Sequence, residues 1–281
     1  MQTIKERSVL SSYLHEARKN GSVGFIPTMG ALHAGHAALV QRAAAENKIV
    51  VASIFVNPTQ FNNKNDLAAY PRTPVPDAAL LEASGCDLLF LPSIAGMYPE
   101  NDPDEAINID LGGLDKVMEG IHRPGHFTGV MQIVKKLFDA VGPCRAYFGE
   151  KDYQQLAIIR RMVQELKLPV EIIGCPIVRE KDGLAMSSRN ARLSQEERNA
   201  APLIRKVLFR VHEMWPTSTV EELESFVKKQ FSTDFKFRLE YFEIADADTL
   251  QPVEKDQKKN AVACIAVYLG KVRLIDNIRL A

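Results

Sequence analysis

The sequence has no excess charge of either sign and no long apolar run. Its 281 residues include 35 Lys plus Arg and 35 Asp plus Glu, so the total charge does not favour non-specific binding to nucleic acid or anionic membranes. Residues 1–15 mix charged and polar side chains and do not resemble a signal peptide. No apolar run approaches the ~20 residues of a membrane span. We therefore predict a cytoplasmic protein that binds neither nucleic acid nor membrane.

Cysteine is scarce and scattered. The four cysteines form no CxxC pair and no cluster with histidine at the spacing of a zinc site. Each lies in or beside a strand-like run, so we interpret them as small buried hydrophobic residues. Repeats and low-complexity segments are also absent, and the 46% hydrophobic content is typical of an ordinary globular chain. The cysteines are Cys86, Cys144, Cys175 and Cys264.

Strand-like and helix-like runs alternate through the first part of the chain. Residues 49–56 form a continuous β-rich run, which is typical of a strand buried on both faces. Residues 128–140 carry their apolar side chains on one helical face. Such alternation implies right-handed crossovers and a parallel sheet. We predict an α/β protein whose first domain, residues 1–175, has a Rossmann-like parallel sheet.

The pattern changes after residue 175. Two helix-like stretches, 195–213 and 220–231, precede three strand-like runs, and Gly270 marks a hairpin turn between the last two. Helices followed by strands predict a smaller α+β domain over residues 176–281.

The first candidate site follows the strand-like run 23–27 and has the sequence TMGALHAGH at residues 28–36. Parallel sheets bind ligands at the carboxyl ends of their strands, and a helix that starts there offers backbone N–H groups to an anion. His33 and His36 share one helical face and could donate to phosphate oxygens. The alternative is a turn with two solvent-exposed histidines.

The second candidate site is Gln60, which follows the strand-like run 49–56. A glutamine amide can hold a carboxylate or hydroxyl without neutralising its charge, so the carboxylate stays nucleophilic. The polar loop 61–73 is a candidate lid that excludes water, with Tyr70 and Arg72 as possible contacts. An ordinary surface loop explains Tyr70 and Arg72 equally well.

The third candidate site is the segment FGEKDYQQ at residues 148–155. Asp152 and Gln155 fit a helix capping box, but Lys151 adds positive charge where the helix dipole is already positive. An anion bound at this position removes that conflict. Spacing assigns no role to Gln154.

The fourth candidate site follows the turn signal Asp182-Gly183. Ser187, Ser188 and Arg189 offer two hydroxyls and a guanidinium in a row, which can bind the oxygens of a leaving pyrophosphate. Taken alone, the stretch is also explained as a loop with a helix cap. A fifth string, RPGHFTGV at residues 123–130, suggests no chemistry, and we interpret it as a structural turn before a helix, near a dimer contact.

Together these motifs resemble the pantothenate synthetase family, within the HxGH nucleotidyltransferase superfamily. PTMGALHAGH at residues 27–36 and GEKDYQQ at residues 149–155 are similar to the family's segments. MSSRN at residues 186–190 resembles the counterpart of the KMSKS loop of class I aminoacyl-tRNA synthetases, without its lysines. The resemblance extends through nearly the whole chain.

This resemblance implies an ATP-dependent ligase that joins pantoate to β-alanine through a pantoyl adenylate, with Mg²⁺ as cofactor and a homodimer as the assembly. The second domain would offer Met186–Arg189 to the phosphates. Gln60 and Gln155 would bind pantoate and β-alanine. Asp77 would be the metal ligand, although the segment 74–77 carries only one carboxylate. Catalytic roles would fall to His36, His33, Lys151 and Arg189. ATP would contact Met29, Gly30, Ala31, Leu32, His33, Ala34, Gly35, His36, Gly149, Glu150, Lys151, Asp152, Val178, Met186, Ser187, Ser188 and Arg189.

Two alternatives stay open at this point. The first is another HxGH nucleotidyltransferase that adenylates a phosphate, which the neutral Gln60 and Gln155 disfavour because a phosphate acceptor would favour Arg or Lys. The second is a catalytically silent nucleotide-binding or tRNA-associated protein, which the balanced charge and the full set of motifs disfavour.

Overall fold

The computed structural model describes residues 1–61, 67–100, 107–234, 236–253 and 258–280. The chain divides into two units. Unit 1 comprises Met1–Leu111, Arg123–Glu150 and Gln155–Pro176, and the remaining residues form unit 2. Two short segments, Gly112–His122 and Lys151–Gln154, therefore belong to unit 2 although they precede residue 175. The division of the chain at residue 175 stays a prediction.

Unit 1 is built on a parallel sheet of six strands in the order β1-β4-β3-β2-β5-β6. All of its strand pairs are parallel, so the predicted α/β class with a parallel sheet is confirmed. The strands are β1 (Gln2–Ile4), β2 (Val23–Thr28), β3 (Ile49–Ile54), β4 (Leu88–Phe90), β5 (Cys144–Gly149) and β6 (Val170–Cys175).

The central strand β3 explains the continuous apolar run in the sequence. It pairs with β2 on one side and β4 on the other, and Val50, Val51 and Ala52 are all essentially inaccessible to solvent. Burial on both faces leaves no polar side to alternate with the apolar one.

Helices connect these strands. Those whose bounds are described, up to residue 165, are α1 (Arg7–Ala17), α2 (Ala34–Glu46), α3 (Pro74–Ala83), α4 (Ile94–Met97), α5 (Met118–His122), α6 (His126–Val141) and α7 (Tyr153–Glu165). The apolar residues of α6 recur on one face, as the sequence predicts, and most of the helix is buried. By contrast, the sequence did not predict α1, because only Leu10 and Leu14 are buried on it.

Unit 2 contains an antiparallel sheet of three strands, β7 (Phe237–Asp246), β8 (Ala261–Leu269) and β9 (Val272–Arg279), in sequence order. The predicted hairpin between β8 and β9 is confirmed, since Leu269 pairs with Val272 across a two-residue turn. Gly270 begins this turn with a φ of 57°, a conformation that favours glycine.

Three helices precede that sheet: α8 (Gln195–Ala200), α9 (Leu203–Met214) and α10 (Val220–Ser232). The single helix predicted over residues 195–213 is therefore wrong. Pro202 separates α8 from α9, because proline has no N–H to continue the hydrogen-bond ladder. Buried residues of α9 and α10, such as Leu208 and Val227, form one apolar core with the sheet.

None of the described helices is long and apolar enough to cross a membrane. The cysteines are free thiols, three of them buried and Cys144 half-buried. Burial raises the pKa of Cys86 to about 11 and that of Cys144 to about 12. At neutral pH these thiols are protonated and act as small apolar side chains, in agreement with the interpretation from sequence.

Candidate active site

The strand order of unit 1 reverses at β2, which lies between β3 and β5. Open parallel sheets bind ligands at the carboxyl ends of their strands, beside such a reversal. Three of the predicted motifs start at this edge: one after β2, one after β3 and one at the end of β5. The sheet therefore brings together residues that are far apart in the sequence.

The loop after β2 is held by the buried carboxylate of Asp77. Ala31 N–H donates to Oδ2 at 2.9 Å, and Leu32 N–H donates to Oδ1 at 2.8 Å. The Thr73 hydroxyl donates to Oδ1 at 3.1 Å. Gly30 has a φ of 83° and Ala31 a φ of 50°. A Cβ on Gly30 would lie 3.0 Å from Asp77 Oδ2, so the bend needs glycine both for its φ and for the close approach.

This arrangement changes the expected roles of three residues. The N–H groups of Ala31 and Leu32 already have Asp77 as acceptor, so any contact that they make with ATP must use other atoms. Both oxygens of Asp77 accept hydrogen bonds from the protein, which gives the residue a structural function. In the part of the chain that the structure describes, no three His, Cys, Asp or Glu side chains group as a metal site. The assignment of Asp77 as a metal ligand stays a prediction that these contacts do not favour.

His33 and His36 cap the helix that they begin. His33 Nδ1 accepts from Gly35 N–H at 3.1 Å, and His36 Nδ1 accepts from His33 N–H at 3.3 Å. The ring centroids are 4.1 Å apart. A nitrogen that accepts a hydrogen bond carries no proton, so each neutral ring is the Nε2–H tautomer. The rings are half-buried, and their Nδ1 contacts differ from the exposed turn considered as the alternative. The His33 ring also occupies the N–H group of Gly35, one of the groups at the start of the helix.

Gln60 lies at the end of a short 3₁₀ turn, Pro58–Gln60, after β3. Its side chain is 8% exposed. Its Oε1 accepts from Asn57 Nδ2 at 3.2 Å, and its Nε2 donates to Met29 Sδ at 2.9 Å. Met29 belongs to the first motif, so the first and second motifs touch at this amide. Gln60 thus presents a neutral, largely buried amide, and its role in binding a carboxylate or hydroxyl stays a prediction.

The loop after Gln60 is described only in part. Residues 62–66 of the candidate lid lie outside the described residues. Tyr70 is buried against the Phe61 ring, with the centroids 5.7 Å apart. Arg72 Nη1 donates to the Tyr70 carbonyl at 3.0 Å. Both residues thus stabilise the loop itself, and their role as lid contacts stays a prediction.

The third motif starts where β5 ends at Gly149 and continues through a 3₁₀ turn, Glu150–Asp152, into α7. The helix begins at Tyr153, so Asp152 stands immediately before it, where an N-cap was predicted. Lys151 Nζ lies 3.5 Å from Asp152 Oδ2. Gln155 is half-buried in the first turn of α7, and like Gln60 it belongs to unit 1.

In unit 2, residues 178–186 fold into a small hairpin. Met186 N–H donates to the Val178 carbonyl at 3.0 Å, and Arg179 pairs with Ala185. Arg179 also forms a bidentate ion pair with Asp276 at 2.7 and 3.0 Å. Fork-to-carboxylate pairs of this kind fix geometry as well as charge. Strand β9 therefore holds the hairpin that carries Val178 and Met186.

The serines of the fourth motif enter a 3₁₀ turn, Ser188–Arg192. Ser187 is its N-cap, and its hydroxyl accepts from Arg189 N–H at 3.2 Å. Ser187, Ser188 and Arg189 are all half-buried. The helix cap that the sequence also suggested is therefore present, and it fixes the backbone that carries the candidate phosphate-binding groups.

Two residues without an assigned role support the third motif from within unit 2. Asn277 on β9 is buried, and its Nδ2 donates to the Lys151 carbonyl at 3.0 Å. Gln154 is also buried: its Oε1 accepts from Glu119 N–H, and its Nε2 donates to the carbonyls of Leu114 and Val117. Gln154 thus ties the segment Gly112–His122 into unit 2.

Reasoning from the sequence missed these supporting residues for one reason. Arg179 and Asp276 are 97 positions apart, and Lys151 and Asn277 are 126 positions apart. No local spacing rule connects residues at such separations. Gln154 did give a signal in the sequence. It is a second amide next to Gln155, and spacing assigned no role to it.

Comparison with known proteins adds the following similarities. A sequence model of the family described as pantoate–β-alanine ligase matches residues 2–279. The pantothenate synthetase of Bacteroides fragilis is 55% identical over 280 residues, covering 99% of this chain and 98% of that protein. A crystal structure of pantothenate synthetase from Thermus thermophilus is 44% identical, with a TM-score of 0.92 and coverage of 100% and 99%.

A third similar structure contains ligands. The pantoate–β-alanine ligase of Francisella tularensis, whose crystal structure is described as a complex with β-γ ATP and β-alanine, is 35% identical to this chain. The two structures superimpose with a TM-score of 0.82, covering 100% of this chain and 98% of the other.

Proposed function

The chain belongs to the pantoate–β-alanine ligase family and is a ligase of pantoate and β-alanine that uses ATP, and we propose that it works through a pantoyl adenylate. The pantoate carboxylate attacks the α-phosphorus of ATP and pyrophosphate leaves. The β-alanine amine then attacks the acyl carbon, and AMP leaves as the amide of pantothenate forms. The observation that carries this proposal is the neutral Gln60 amide beside the histidine loop of the same unit.

The histidine geometry supports an electrostatic role in the first step. With Nδ1 held as an acceptor, the proton of each neutral ring lies on Nε2, which can donate to a phosphate oxygen. We assign His36 to the charge that develops on the phosphates and His33 to the oxygens beside it. Lys151 and Arg189 add positive charge for the pyrophosphate, assisted by Ser187 and Ser188. None of these groups forms a covalent intermediate, so positioning and charge carry the catalysis.

ATP would further contact residues 29–36, 149–152, Val178 and Met186. Gln60 and Gln155 would hold pantoate. A neutral amide orients a carboxylate but leaves its charge, and hence its nucleophilicity, largely intact. This choice of partner distinguishes a carboxylate acceptor from the phosphate acceptor of related nucleotidyltransferases, for which Arg or Lys is the usual partner.

We also propose that Mg²⁺ accompanies ATP. Magnesium keeps several of its waters and binds through phosphate oxygens with few protein carboxylates. The described residues fit that mode, since they include no group of three His, Cys, Asp or Glu side chains placed to hold a metal and the oxygens of Asp77 are hydrogen-bonded to the protein. Bound in this way, the ion would neutralise part of the phosphate charge. A homodimer and a cytoplasmic location stay predictions.

The test uses purified protein with ATP, Mg²⁺, pantoate and β-alanine, each omitted in turn. We expect pantoate-dependent exchange of pyrophosphate into ATP without β-alanine, and equal amounts of AMP and pantothenate when β-alanine is present. Amide formation that requires all substrates but shows no exchange would refute the adenylate. A His36→Ala enzyme should lose at least about a hundredfold in exchange rate, and near-normal exchange would refute the role of His36.

A further inference from the structure

The fifth string, residues 123–130, has no part in the chemistry proposed above, yet the structure places it directly behind Gln60. Helix α6 begins at His126, and Gly125 before it has a φ of 79°. The first turn of α6 lies against the 3₁₀ turn Pro58–Gln60. Both segments belong to unit 1.

His126 makes the first of two contacts that determine where Gln60 lies. The ring is buried, and its Nδ1 lies 2.9 Å from the Gln60 carbonyl oxygen. A carbonyl oxygen only accepts, so Nδ1 is the donor, and the ring has the tautomer or charge state that carries a proton there. His126 thereby fixes the backbone of the residue whose side chain binds pantoate.

Gly129, one turn further along α6, makes the second contact. A Cβ at this position would lie 2.6 Å from the Thr59 carbonyl oxygen and 2.8 Å from Gln60 Cα. Both neighbours are backbone atoms, which cannot rotate away as a side chain would. Glycine therefore sets the distance between the helix and the turn.

The same backbone carbonyl connects the helix to the Gln60 amide. Asn57 Nδ2 donates to the Gly129 carbonyl at 3.0 Å and to Gln60 Oε1 at 3.2 Å. With Asn57 donating to Oε1, the Gln60 amide presents its nitrogen to Met29. The orientation of the amide thus depends on where α6 places the Gly129 carbonyl.

We propose that His126 and Gly129 are positioning residues for pantoate binding, acting through the turn that carries Gln60. The inference rests on the proposed function, since it takes pantoate as the ligand of Gln60. His126 holds the Gln60 backbone by one hydrogen bond, and Gly129 lets the helix approach closely enough for that bond to form. Residues 123–130 then support the pantoate site by packing against the turn that carries Gln60. They are more than the simple turn before a helix that the sequence predicted.

Three variants of His126 test the hydrogen bond. In pantoate-dependent exchange of pyrophosphate, His126→Leu should raise the KM for pantoate about tenfold, as expected for loss of one buried hydrogen bond, with the KM for ATP within about twofold. His126→Asn should restore the pantoate KM, because its amide nitrogen takes the position of Nδ1. His126→Gln should not, because its amide nitrogen takes the position of Nε2.

Gly129→Ala tests the close approach. Because the added methyl group displaces backbone, we expect a loss of about a hundredfold in kcat/KM for pantoate, the effect of a displacement near 1 Å. Val141→Ala at the far end of α6, about 18 Å along the helix from Gly129, is the matched control. It removes buried apolar volume from the same helix and should leave both KM values unchanged at temperatures where it stays folded.

The outcomes separate the inference from the proposed function. Unchanged pantoate KM values in folded His126→Leu and Gly129→Ala, equal rises for pantoate and ATP, or failure of Asn to rescue would each overturn the positioning role. Absence of any pantoate-dependent reaction in the wild-type enzyme would overturn the proposed function instead. Crystal structures of the two variants test positioning without turnover: a displaced Gln60 supports the inference, and an unmoved Gln60 refutes it.

Discussion

Asp77 in unit 1 and Asp276 in unit 2 are both buried carboxylates that hold a loop with predicted ATP contacts, but their partners differ. Asp77 accepts from two backbone N–H groups and one hydroxyl, all neutral. Asp276 faces the guanidinium of Arg179 and also accepts from Asn277 N–H. The partners of Asp77 are neutral, whereas the main partner of Asp276 is a cation.

This difference determines which substitutions each loop can tolerate. An ion pair can be replaced as a unit, because two apolar side chains of similar volume remove both charges together. A carboxylate that accepts from two backbone N–H groups has no such replacement, since the backbone donors remain whatever side chain is present. The unit 1 loop is thus tied to one residue type, whereas the unit 2 hairpin is tied to a pair.

The largest effect should come from separating the ion pair. Arg179→Met leaves Asp276 buried without its cation and should lower the free energy of unfolding by about 3 kcal/mol. Arg179→Met combined with Asp276→Leu should recover most of that loss. Trp215, the only tryptophan of the chain, is buried in unit 2, so its fluorescence during urea denaturation measures the effect. A double variant as unstable as the single one would contradict the comparison.

An intermediate effect should follow from Asp77→Asn. The amide keeps the shape but presents an NH₂ group to a backbone N–H, which should cost about 2 kcal/mol and loosen residues 30–32. We expect a KM for ATP raised about fivefold or more and a lower unfolding temperature by circular dichroism. Thr73→Val, which removes only the hydroxyl donor, is the control and should cost less. An Asp77→Asn enzyme with unchanged ATP kinetics would argue against this view of the loop.

The smallest effect should be at Asp182, in the turn of the unit 2 hairpin. Its hydrogen bond with Arg198 lowers the pKa of this carboxyl below its ordinary value. The resulting stability is complete above the ordinary pKa of about 4 and is lost as pH falls through the lowered folded pKa. Because the pair is exposed, Asp182→Asn should cost less than about 1 kcal/mol at pH 7.

The pH dependence supplies the check. The stability difference between wild type and Asp182→Asn, followed by Trp215 fluorescence, should shrink as the pH is lowered from 7 towards 3. A difference that stays constant with pH would assign the effect to the Leu184 N–H contact and not to the charge.

The elements that sequence predicted well are those whose burial is set locally. Strand β3 and helix α6 are predictable from sequence for local reasons. Burial on both faces gives β3 a continuous apolar run, and burial of one face gives α6 a helical apolar period. Helix α1 shows the limit, since two buried leucines on an 11-residue helix give too weak a pattern. Pro202 shows another, because the apolar period continues on both sides of a break in the backbone ladder.

The candidate site likewise has features that the sequence reveals and features that it does not. Motifs with chemistry of their own, such as His33 and His36, stand out by composition and spacing. The residues that hold these motifs in place do not stand out in the sequence. Asp77, Asp276 and His126 act through contacts that only the folded chain creates. The tautomer of the histidines could not be predicted from the sequence either, because it depends on which ring nitrogen accepts from a backbone N–H.

The use of histidine as a helix cap has a consequence for variation at position 33. Ser, Thr, Asp and Asn are the common N-caps because their side chains need only one acceptor atom. An imidazole has two ends, and here one end starts the helix while the other can meet a phosphate. Helix stability and reactivity thus depend on the same side chain. Asparagine at position 33 would preserve the helix cap but remove the group that can donate to a phosphate.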